Sequence, residues 1–265
     1  MTTSSATWTV ERVQVAGAEM QMLKGGAGDP LLVLHDEMGQ PGWLQLHEEL
    51  AKNYTVYAPS LPGFGVTDRL DWIMNMRDSA TWTIWALEEM GLSNMNVVGF
   101  SIGGWLAAEM VTQDPSVFRR MALAAPAGIL PPTGEILDMF LIVSKEFITA
   151  GFHNPSTTAE FQQVCPDEPT PEQLEQWETA REESCRLSWR PYMHDRSLPH
   201  RLGRLKNLPS LIVWGRNDTI VPPSAGEVYN QSIVGSRLVT LEDCGHRSDV
   251  EKSAELAALL REFFG

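Results

Sequence analysis

The most informative residues of this chain are Gly99-Phe100-Ser101-Ile102-Gly103, which follow the pattern G-x-S-x-G and are extended by Gly104. An apolar stretch leads into the motif and a helix-like stretch leaves it, so the serine is expected on a sharp turn between a strand and a helix. The glycines on either side of the serine leave room for neighbouring backbone segments to approach each other. The serine hydroxyl then projects at the start of the helix. The pattern predicts a nucleophilic Ser101; the simpler alternative is a glycine-rich turn with a capping serine.

A serine hydroxyl is a weak nucleophile unless a base takes its proton. Two later segments could supply the partners: Val213–Asp218 contains the end of one predicted strand and the turn after it, and Asp243–His246 follows the next strand. The carboxyl ends of parallel strands meet at one edge of a sheet. We therefore predict a triad in which His246 accepts the proton of Ser101 and Asp218 orients the imidazole.

Other residues of the same types are weaker candidates for these roles. Asp243 and Asp249 are rival acids near His246, but neither has such a clear strand–turn setting. The remaining histidines do not follow a late strand: His35, His47, His153, His194 and His200.

Strands and helices alternate through most of the chain, which predicts an α/β fold with a mostly parallel sheet covered on both faces. The predicted strands are Thr7–Val15, Glu19–Lys24, Leu31–Leu34, Tyr54–Ala58, Met95–Val98, Arg120–Ala125, Ser210–Trp214 and Arg237–Leu241. The predicted helices are Trp43–Lys52, Asp78–Met90, Ile102–Gln113, Glu135–Thr149, Pro171–Leu187, Ser224–Ser232 and Ser253–Phe264.

The alternation is interrupted after Pro126, and no clear buried strand follows until about residue 203. Such a stretch is too long for a loop in a compact domain. We predict a core in two parts, residues 1–126 and 203–265, with a helical cap inserted at 127–202.

The composition is that of an ordinary globular protein, with 43% hydrophobic and 20% charged residues among 265. A formal net charge of −14 argues against nucleic acid and anionic membranes as partners. No apolar stretch approaches the length of a membrane span, no secretory signal is visible, and three sparse cysteines fit a reducing compartment. We expect a cytoplasmic protein, a monomer or a homodimer.

The chain resembles the α/β-hydrolase superfamily over nearly its whole length. The segments that carry the resemblance are Leu34-His35, Leu61-Pro62-Gly63-Phe64-Gly65, Gly99–Gly103, Trp214–Asp218 and Gly245-His246. The family also carries a helical cap at the place where the insertion is predicted here. The resemblance is greatest to capped esterases and to the carbon–carbon bond hydrolases of aromatic-ring degradation, and it implies no metal or organic cofactor. Ser101 excludes the aspartate nucleophile of haloalkane dehalogenases and epoxide hydrolases.

By the family pattern, the backbone N–H groups of Glu37 and Ile102 form the oxyanion hole. The loop departs from the family, however, because it usually reads His-Gly and here reads His35-Asp36-Glu37-Met38-Gly39. We expect both carboxylates to point outward; the alternative is that one binds a polar substrate or positions water. Arg247 replaces the tryptophan that typically follows the catalytic histidine of the carbon–carbon hydrolases, and we expect it in a surface ion pair rather than on an anionic substrate.

Several side chains are candidates for a largely apolar or aromatic-tolerant substrate pocket. They are His35, Asp36, Met38, Trp43, Trp105, Met139 and Trp189. The predicted reaction is cleavage of a small ester or lactone through an acyl-serine intermediate, as in carboxylesterases.

Three alternatives remain open at this stage. A carbon–carbon bond hydrolase of ring-cleavage diketones would use the same triad. A cofactor-free perhydrolase or haloperoxidase would show peroxide-dependent oxidation. A small-molecule receptor would keep the triad with negligible turnover.

Overall fold

A computed structural model describes residues 7–265, and eight strands in this range form a single sheet. The strands are β1 (Trp8–Val15), β2 (Ala18–Gly25), β3 (Asp29–Leu34), β4 (Tyr54–Pro59), β5 (Met95–Phe100), β6 (Phe118–Ala124), β7 (Ser210–Gly215) and β8 (Arg237–Leu241). Their spatial order is β1-β2-β4-β3-β5-β6-β7-β8. The β1–β2 and β2–β4 pairs are antiparallel, and every other pair is parallel. The predicted α/β-hydrolase fold is confirmed.

Strands β3 and β5 lie at the centre of the sheet, and their sequences explain this position. Each is an apolar run, as expected for strands that are buried on both faces. Along β3, Leu32 and Leu34 pack into one core while Leu31 and Val33 pack into the core on the opposite face. The alternation follows from the two-residue period of a strand. Because both faces are covered, the carboxyl-terminal edge is where the chain can expose functional groups.

Helices cover both faces of the sheet. They are α1 (Gln45–Ala51), α2 (Met76–Glu89), α3 (Ile102–Gln113), α4 (Ser144–Ala150), α5 (Phe161–Val164), α6 (Pro171–Ser188), α7 (Leu198–Leu202), α8 (Ser224–Ser232), α9 (Ser248–Glu251) and α10 (Ser253–Phe264). Apolar residues of α1 and α10 share one core, and those of α2, α3 and α8 share the other. None of the helices in the described range is long and apolar enough to cross a membrane.

The chain between β6 and β7, residues 125–209, is described throughout and contains α4 to α7 but no strand of the sheet. We call it the inserted segment. The predicted helix Glu135–Thr149 is wrong over its first part, since α4 begins only at Ser144. The preceding backbone bonds to distant groups instead of to itself: the Arg181 guanidinium donates to the carbonyl oxygens of Met139 and Ile142. These tertiary hydrogen bonds replace those of the expected helix.

Candidate active site

Ser101 lies between the last residue of β5 and the first residue of α3, and its backbone is strained. Its φ of 47° and ψ of −114° lie in a region that residues with a side chain rarely adopt. The turn is possible because of its glycines. A Cβ on Gly99 would overlap the carbonyl oxygen of Gly103, and one on Gly103 would overlap that of His35. The glycines of the motif are therefore required by close backbone contacts, and the predicted turn is present.

Asp218 and His246 come together at the same edge of the sheet, although 28 residues separate them. Asp218 follows β7, and its Oδ1 accepts hydrogen bonds from the amides of Ile220 and Val221 at 2.8 and 3.0 Å. Its Oδ2 lies 2.7 Å from Nδ1 of His246, in the loop after β8. The carboxylate is thus fixed by the backbone on one side and holds the imidazole on the other. Nε2 of His246 is left for a further partner.

The charged state of His246 is governed by its acidic neighbours. Burial lowers the pKa of His246, but the carboxylates of Asp218, Glu37 and Asp36 outweigh this and raise it to about 9. Neither Nε2 of His246 nor the hydroxyl of Ser101 has a hydrogen-bond partner among the described residues. Both groups are almost fully buried. Two groups of the predicted triad are thus unpaired and shielded from solvent.

The prediction that Asp36 and Glu37 point outward is wrong. Both side chains are buried, and Oε1 of Glu37 lies 3.9 Å from Nε2 of His246. Burial raises the pKa of Glu37, while the charge of His246 and the nearby Ser101 hydroxyl lower it. The carbonyl oxygen of Glu37 also accepts a hydrogen bond from Ser184 on α6, at 2.8 Å. The inserted segment therefore holds this loop against the triad.

Arg247 forms a buried ion pair rather than the expected surface pair. Its guanidinium lies 3.0 Å from Oδ2 of Asp36 and 2.8 Å from Oδ2 of Asp249. Its Nε also donates to Asp249, which makes that contact bidentate. Asp249, considered as a rival acid for His246, is therefore the partner of Arg247. This arrangement also explains why Asp36 turns inward.

The two predicted oxyanion donors occupy different local settings. Ile102 is the first residue of α3, so its N–H has no acceptor within the helix and is available to a ligand. The N–H of Glu37 lies close to the carboxyl group of its own side chain and lowers the pKa of that group. The Glu37 carboxyl therefore lies beside the amide predicted to bind the oxyanion.

His35 and Trp43 were also predicted to line the pocket, but their contacts serve the fold. His35 Nδ1 lies 2.7 Å from the Asp36 carbonyl oxygen, and its Nε2 accepts a hydrogen bond from the Leu61 amide. Burial lowers the pKa of His35 to about 4, which keeps it neutral. Trp43 stacks on Trp8, outside the lining of the cavities described below.

Three more predicted pocket residues are also absent from those linings. Trp105 donates its indole N–H to the buried Glu109, and Met139 is fully buried in the core. Trp189 packs on Phe140. Their side chains satisfy packing or hydrogen-bonding needs instead.

A cavity of about 330 Å³ lies between the loop after β3, β1–β2 and the inserted segment, and none of the triad residues is part of its lining. Asp36 and Met38 line it, as predicted, together with Arg247, Trp8 and Trp177. Five glutamines, which were not predicted, add polar groups to its wall: Gln21, Gln40, Gln163, Gln173 and Gln176. Asp36 and Arg247 also line a much smaller space of about 10 Å³ that is bounded by Glu37 and His246. The Asp36–Arg247 pair thus stands between the cavity and the triad.

The loop that carries His246 is tied to the inserted segment by one carboxylate. Glu251 accepts hydrogen bonds from the amides of Gly245, His153 and Asn154, at 2.7, 3.1 and 2.6 Å. Gly245 immediately precedes His246, whereas the other two amides belong to the inserted segment. One side chain therefore fixes both backbones together.

Comparison with known proteins identifies the family of this chain. Residues 31–259 match the sequence profile described as the alpha/beta hydrolase family. The chain belongs to the alpha/beta hydrolase family. Among its relatives, 2-hydroxymuconate semialdehyde hydrolase of Pseudomonas sp. (strain CF600) is 27% identical, over 94% of this chain and 91% of that protein. Pimeloyl-[acyl-carrier protein] methyl ester esterase of Neisseria meningitidis is 26% identical, over 63% of this chain and 68% of the esterase.

A solved structure supports the fold of this family member. The 2-hydroxy-6-oxo-6-phenylhexa-2,4-dienoate hydrolase of Rhodococcus sp. strain RHA1 superposes with a TM-score of 0.80 at 20% identity. The match covers 98% of this chain and 99% of the other. The relatives include both carbon–carbon bond hydrolases and esterases, so hydrolase activity is supported at the level of the family.

Proposed function

We propose that this alpha/beta hydrolase cleaves an ester or lactone of a small, uncharged molecule through an acyl-Ser101 intermediate. The observation that carries the proposal is that Glu37 lies beside both the strained Ser101 and a His246 that Asp218 holds by a 2.7 Å hydrogen bond. Ser101, His246 and Asp218 are the nucleophile, base and orienting acid of a serine hydrolase.

The reaction begins when Oγ of Ser101 attacks the substrate carbonyl carbon and its proton passes to Nε2 of His246. The carbonyl π electrons move onto oxygen, and the amide of Ile102 stabilises the developing charge. Collapse of this intermediate breaks the bond to the leaving oxygen, which takes the proton from His246. Water activated by His246 then attacks the acyl-serine, and Ser101 recovers its proton as the acid leaves. Asp218 stabilises the imidazolium in both halves.

The charges around the triad favour a neutral substrate. Four carboxyl groups lie in this region, on Asp36, Glu37, Asp218 and Asp249, and Arg247 is already bound by two of them. An anionic substrate would meet an excess of negative charge, and the Arg247 guanidinium is not available to bind it. A volume of about 330 Å³ lies at the lower end of small-molecule sites. Its glutamines suit hydroxyl or carbonyl groups, and its tryptophans suit an apolar or aromatic part.

The inserted segment is proposed to act as a cap over this site. It contributes Trp177 and Ala180 to the cavity wall, and Ser184 contacts the loop that carries Glu37. Substrate would enter through the cavity and pass the Asp36–Arg247 pair to reach Ser101. The cap thus determines which molecules reach the nucleophile.

A carbon–carbon bond hydrolase is the second candidate, because the relative from Pseudomonas shares 27% identity over 94% of this chain. That protein's name refers to a muconate, which is a carboxylate. The excess of carboxyl groups beside His246 weighs against such an anion here. A dienoate assay decides between the two, because loss of its absorbance reports carbon–carbon cleavage directly.

The test is hydrolysis of short-chain p-nitrophenyl esters by the wild-type protein and by Ser101→Ala. We expect turnover by the wild type and none above background by Ser101→Ala. Ser79→Ala is the matched control, since Ser79 is also a buried serine whose hydroxyl has no partner in the described structure. Phenylmethanesulfonyl fluoride should add one sulfonyl group, which peptide mapping should place on Ser101. Absence of Ser101-dependent turnover on esters, lactones and dienoates would exclude the enzyme and favour a receptor, and peroxide-dependent oxidation alone would favour a perhydrolase.

A further inference from the structure

Three buried polar atoms around the triad lack hydrogen-bond partners in the described structure: Oγ of Ser101, Nε2 of His246 and Oε2 of Glu37. An unpaired polar atom that is buried is costly, so such a group is normally satisfied by a ligand or water. The first two belong to the proposed triad. The third belongs to a side chain that the ester-cleavage mechanism has not used, and Glu37 and His246 border the same small space.

The position of Glu37 conflicts with the proposed reaction if its side chain is a carboxylate. Oε1 lies 3.9 Å from His246, and the Ser101 hydroxyl is near enough to lower the pKa of the carboxyl. Attack by Ser101 creates an oxyanion in this region, and an ionised carboxylate would repel it. Arg247 cannot neutralise the group, because Asp36 and Asp249 already bind the guanidinium. The conflict disappears if Glu37 is protonated.

We propose that Glu37 is a catalytic residue that works as a carboxylic acid, donating its O–H to the substrate oxygen that becomes the oxyanion. This inference rests on the proposed function, and it adds a side-chain donor to the amide of Ile102. A protonated carboxyl group that serves as an oxyanion donor has a precedent in the chemistry of buried acids. Because the hydrogen bond strengthens as charge develops on the oxygen, it favours the transition state over the bound substrate.

The pair formed by Glu37 and His246 holds one proton in the working enzyme. In the resting arrangement this proton lies on His246. In the reactive arrangement it has moved from Nε2 to the Glu37 carboxyl, so that His246 is free to accept the proton of Ser101. No proton is gained or lost between the two arrangements, and Glu37 keeps its proton while the oxyanion forms and collapses.

Several charged or titratable groups face Glu37 from the elements packed around it. His35 and Asp36 belong to its own loop, His246 and Arg247 to the loop after β8, and Tyr192 to the inserted segment. Burial holds the pKa of His35 at about 4 and raises that of Tyr192 beyond the working range. Arg247 remains charged. The titration that changes activity near neutral pH is therefore that of the Glu37–His246 pair.

The test is the pH dependence of kcat/KM from about pH 5 to about pH 10 for phenyl acetate hydrolysis. The wild type should give a bell-shaped curve, because a second proton disables His246 at low pH and loss of the last proton disables Glu37 at high pH. Glu37→Gln keeps a donor but cannot ionise. Its curve should lose the alkaline fall, and its rise should move to higher pH, because the doubly protonated wild-type pair can release its first proton from either group whereas the variant can release it only from His246. Glu37→Ala should reduce kcat by about 100-fold.

Glu109→Gln is the matched control, since Glu109 is also fully buried and paired with Arg201 away from the triad. Its profile should match that of the wild type. If Glu37→Gln fails to fold, infrared difference spectra of the wild type at pH values on either side of the alkaline limb should show the C=O stretch of a carboxylic acid disappear. A wild-type rate that keeps rising at alkaline pH, or a Glu37→Gln profile that keeps the alkaline fall, overturns the proposal. Failure of the ester-hydrolase assignment is distinguished by the Ser101→Ala comparison, which does not depend on Glu37.

Discussion

Replacing Asp218 by asparagine tests the acid of the triad with little change of shape. In the wild type Oδ1 accepts two backbone amides and Oδ2 lies 2.7 Å from Nδ1 of His246. Asparagine can keep the oxygen on the two amides, so the loop should stay folded. Its NH₂ group must then face Nδ1, which forces that nitrogen to act as an acceptor. The imidazole proton consequently moves to Nε2, where it prevents His246 from taking the proton of Ser101.

The size of this effect follows from the geometry. In another serine hydrolase, replacing the triad aspartate by asparagine leaves the structure intact but gives the wrong histidine tautomer. That replacement lowers kcat by about 10⁴. That factor corresponds to about 5.5 kcal/mol in the activation barrier. Asp218 is also the strongest of the charges that raise the pKa of His246 to about 9. The remaining activity should therefore rise at a lower pH than in the wild type.

The assay is kcat for ester hydrolysis by the wild type, Asp218→Asn and Asp243→Asn. Asp243 is the matched control, because it lies in the same loop as His246 but is exposed and 4.0 Å from His153 instead. We expect Asp243→Asn to keep nearly full activity. The reasoning is refuted if Asp218→Asn stays within tenfold of the wild type, or if Asp243→Asn loses as much activity as Asp218→Asn.

The remaining predictions concern stability and the sharp turn between β5 and α3 at Ser101, called the elbow below. Arg247→Met should lower the free energy of unfolding by about 3–5 kcal/mol, because two buried carboxylates lose their cation. Arg216→Met, at an exposed pair, should leave it nearly unchanged, and equal urea midpoints for the two variants would contradict this. The raised pKa of His246 stabilises the fold below about pH 6.5, and this contribution is lost as the pH rises through about 9. The wild-type stability advantage over His246→Gln should therefore shrink across that window in denaturant titrations, and a constant difference would argue against it. Gly103→Ala should abolish ester turnover, because its Cβ overlaps the carbonyl oxygen of His35; a variant with normal kcat would show that the elbow can relax.

The sequence was most informative where local rules determine the structure. Apolar runs predicted the central strands because strands buried on both faces need them. The elbow was predictable because close backbone contacts demand glycine at Gly99 and Gly103. The positions of Asp218 and His246 followed from the rule that parallel strands deliver their ends to one edge of the sheet.

The direction of the acidic side chains could not be predicted by these rules. Two adjacent acids are usually solvated, and only the fold brings Arg247 to Asp36. The available signal was Arg247 directly after the predicted base, His246, because a cation at this position can pair with an acid of the loop after β3.

The pocket residues were difficult to predict for a related reason. Tryptophans and methionines are large, and most of them fill cores wherever they occur. Trp105 and Met139 do so here, whereas the cavity wall includes five glutamines that look like ordinary surface residues in the sequence. Helix α4 starts later than predicted because a distant donor, the Arg181 guanidinium, takes the carbonyl oxygens of Met139 and Ile142, and no local sequence pattern reveals such competition.

The three amides held by Glu251 have a mechanical consequence. They clamp the inserted segment at His153 and Asn154 to the backbone beside His246. A displacement of the insert at this point would pull on the backbone beside the imidazole. Helix α6 is fastened to the core as well, since Arg69 pairs with Glu182 and Glu183 and Ser184 donates to the carbonyl oxygen of Glu37. The insert is therefore joined to both loops that carry acidic and basic groups of the site, so a strain in the insert would be felt at the triad.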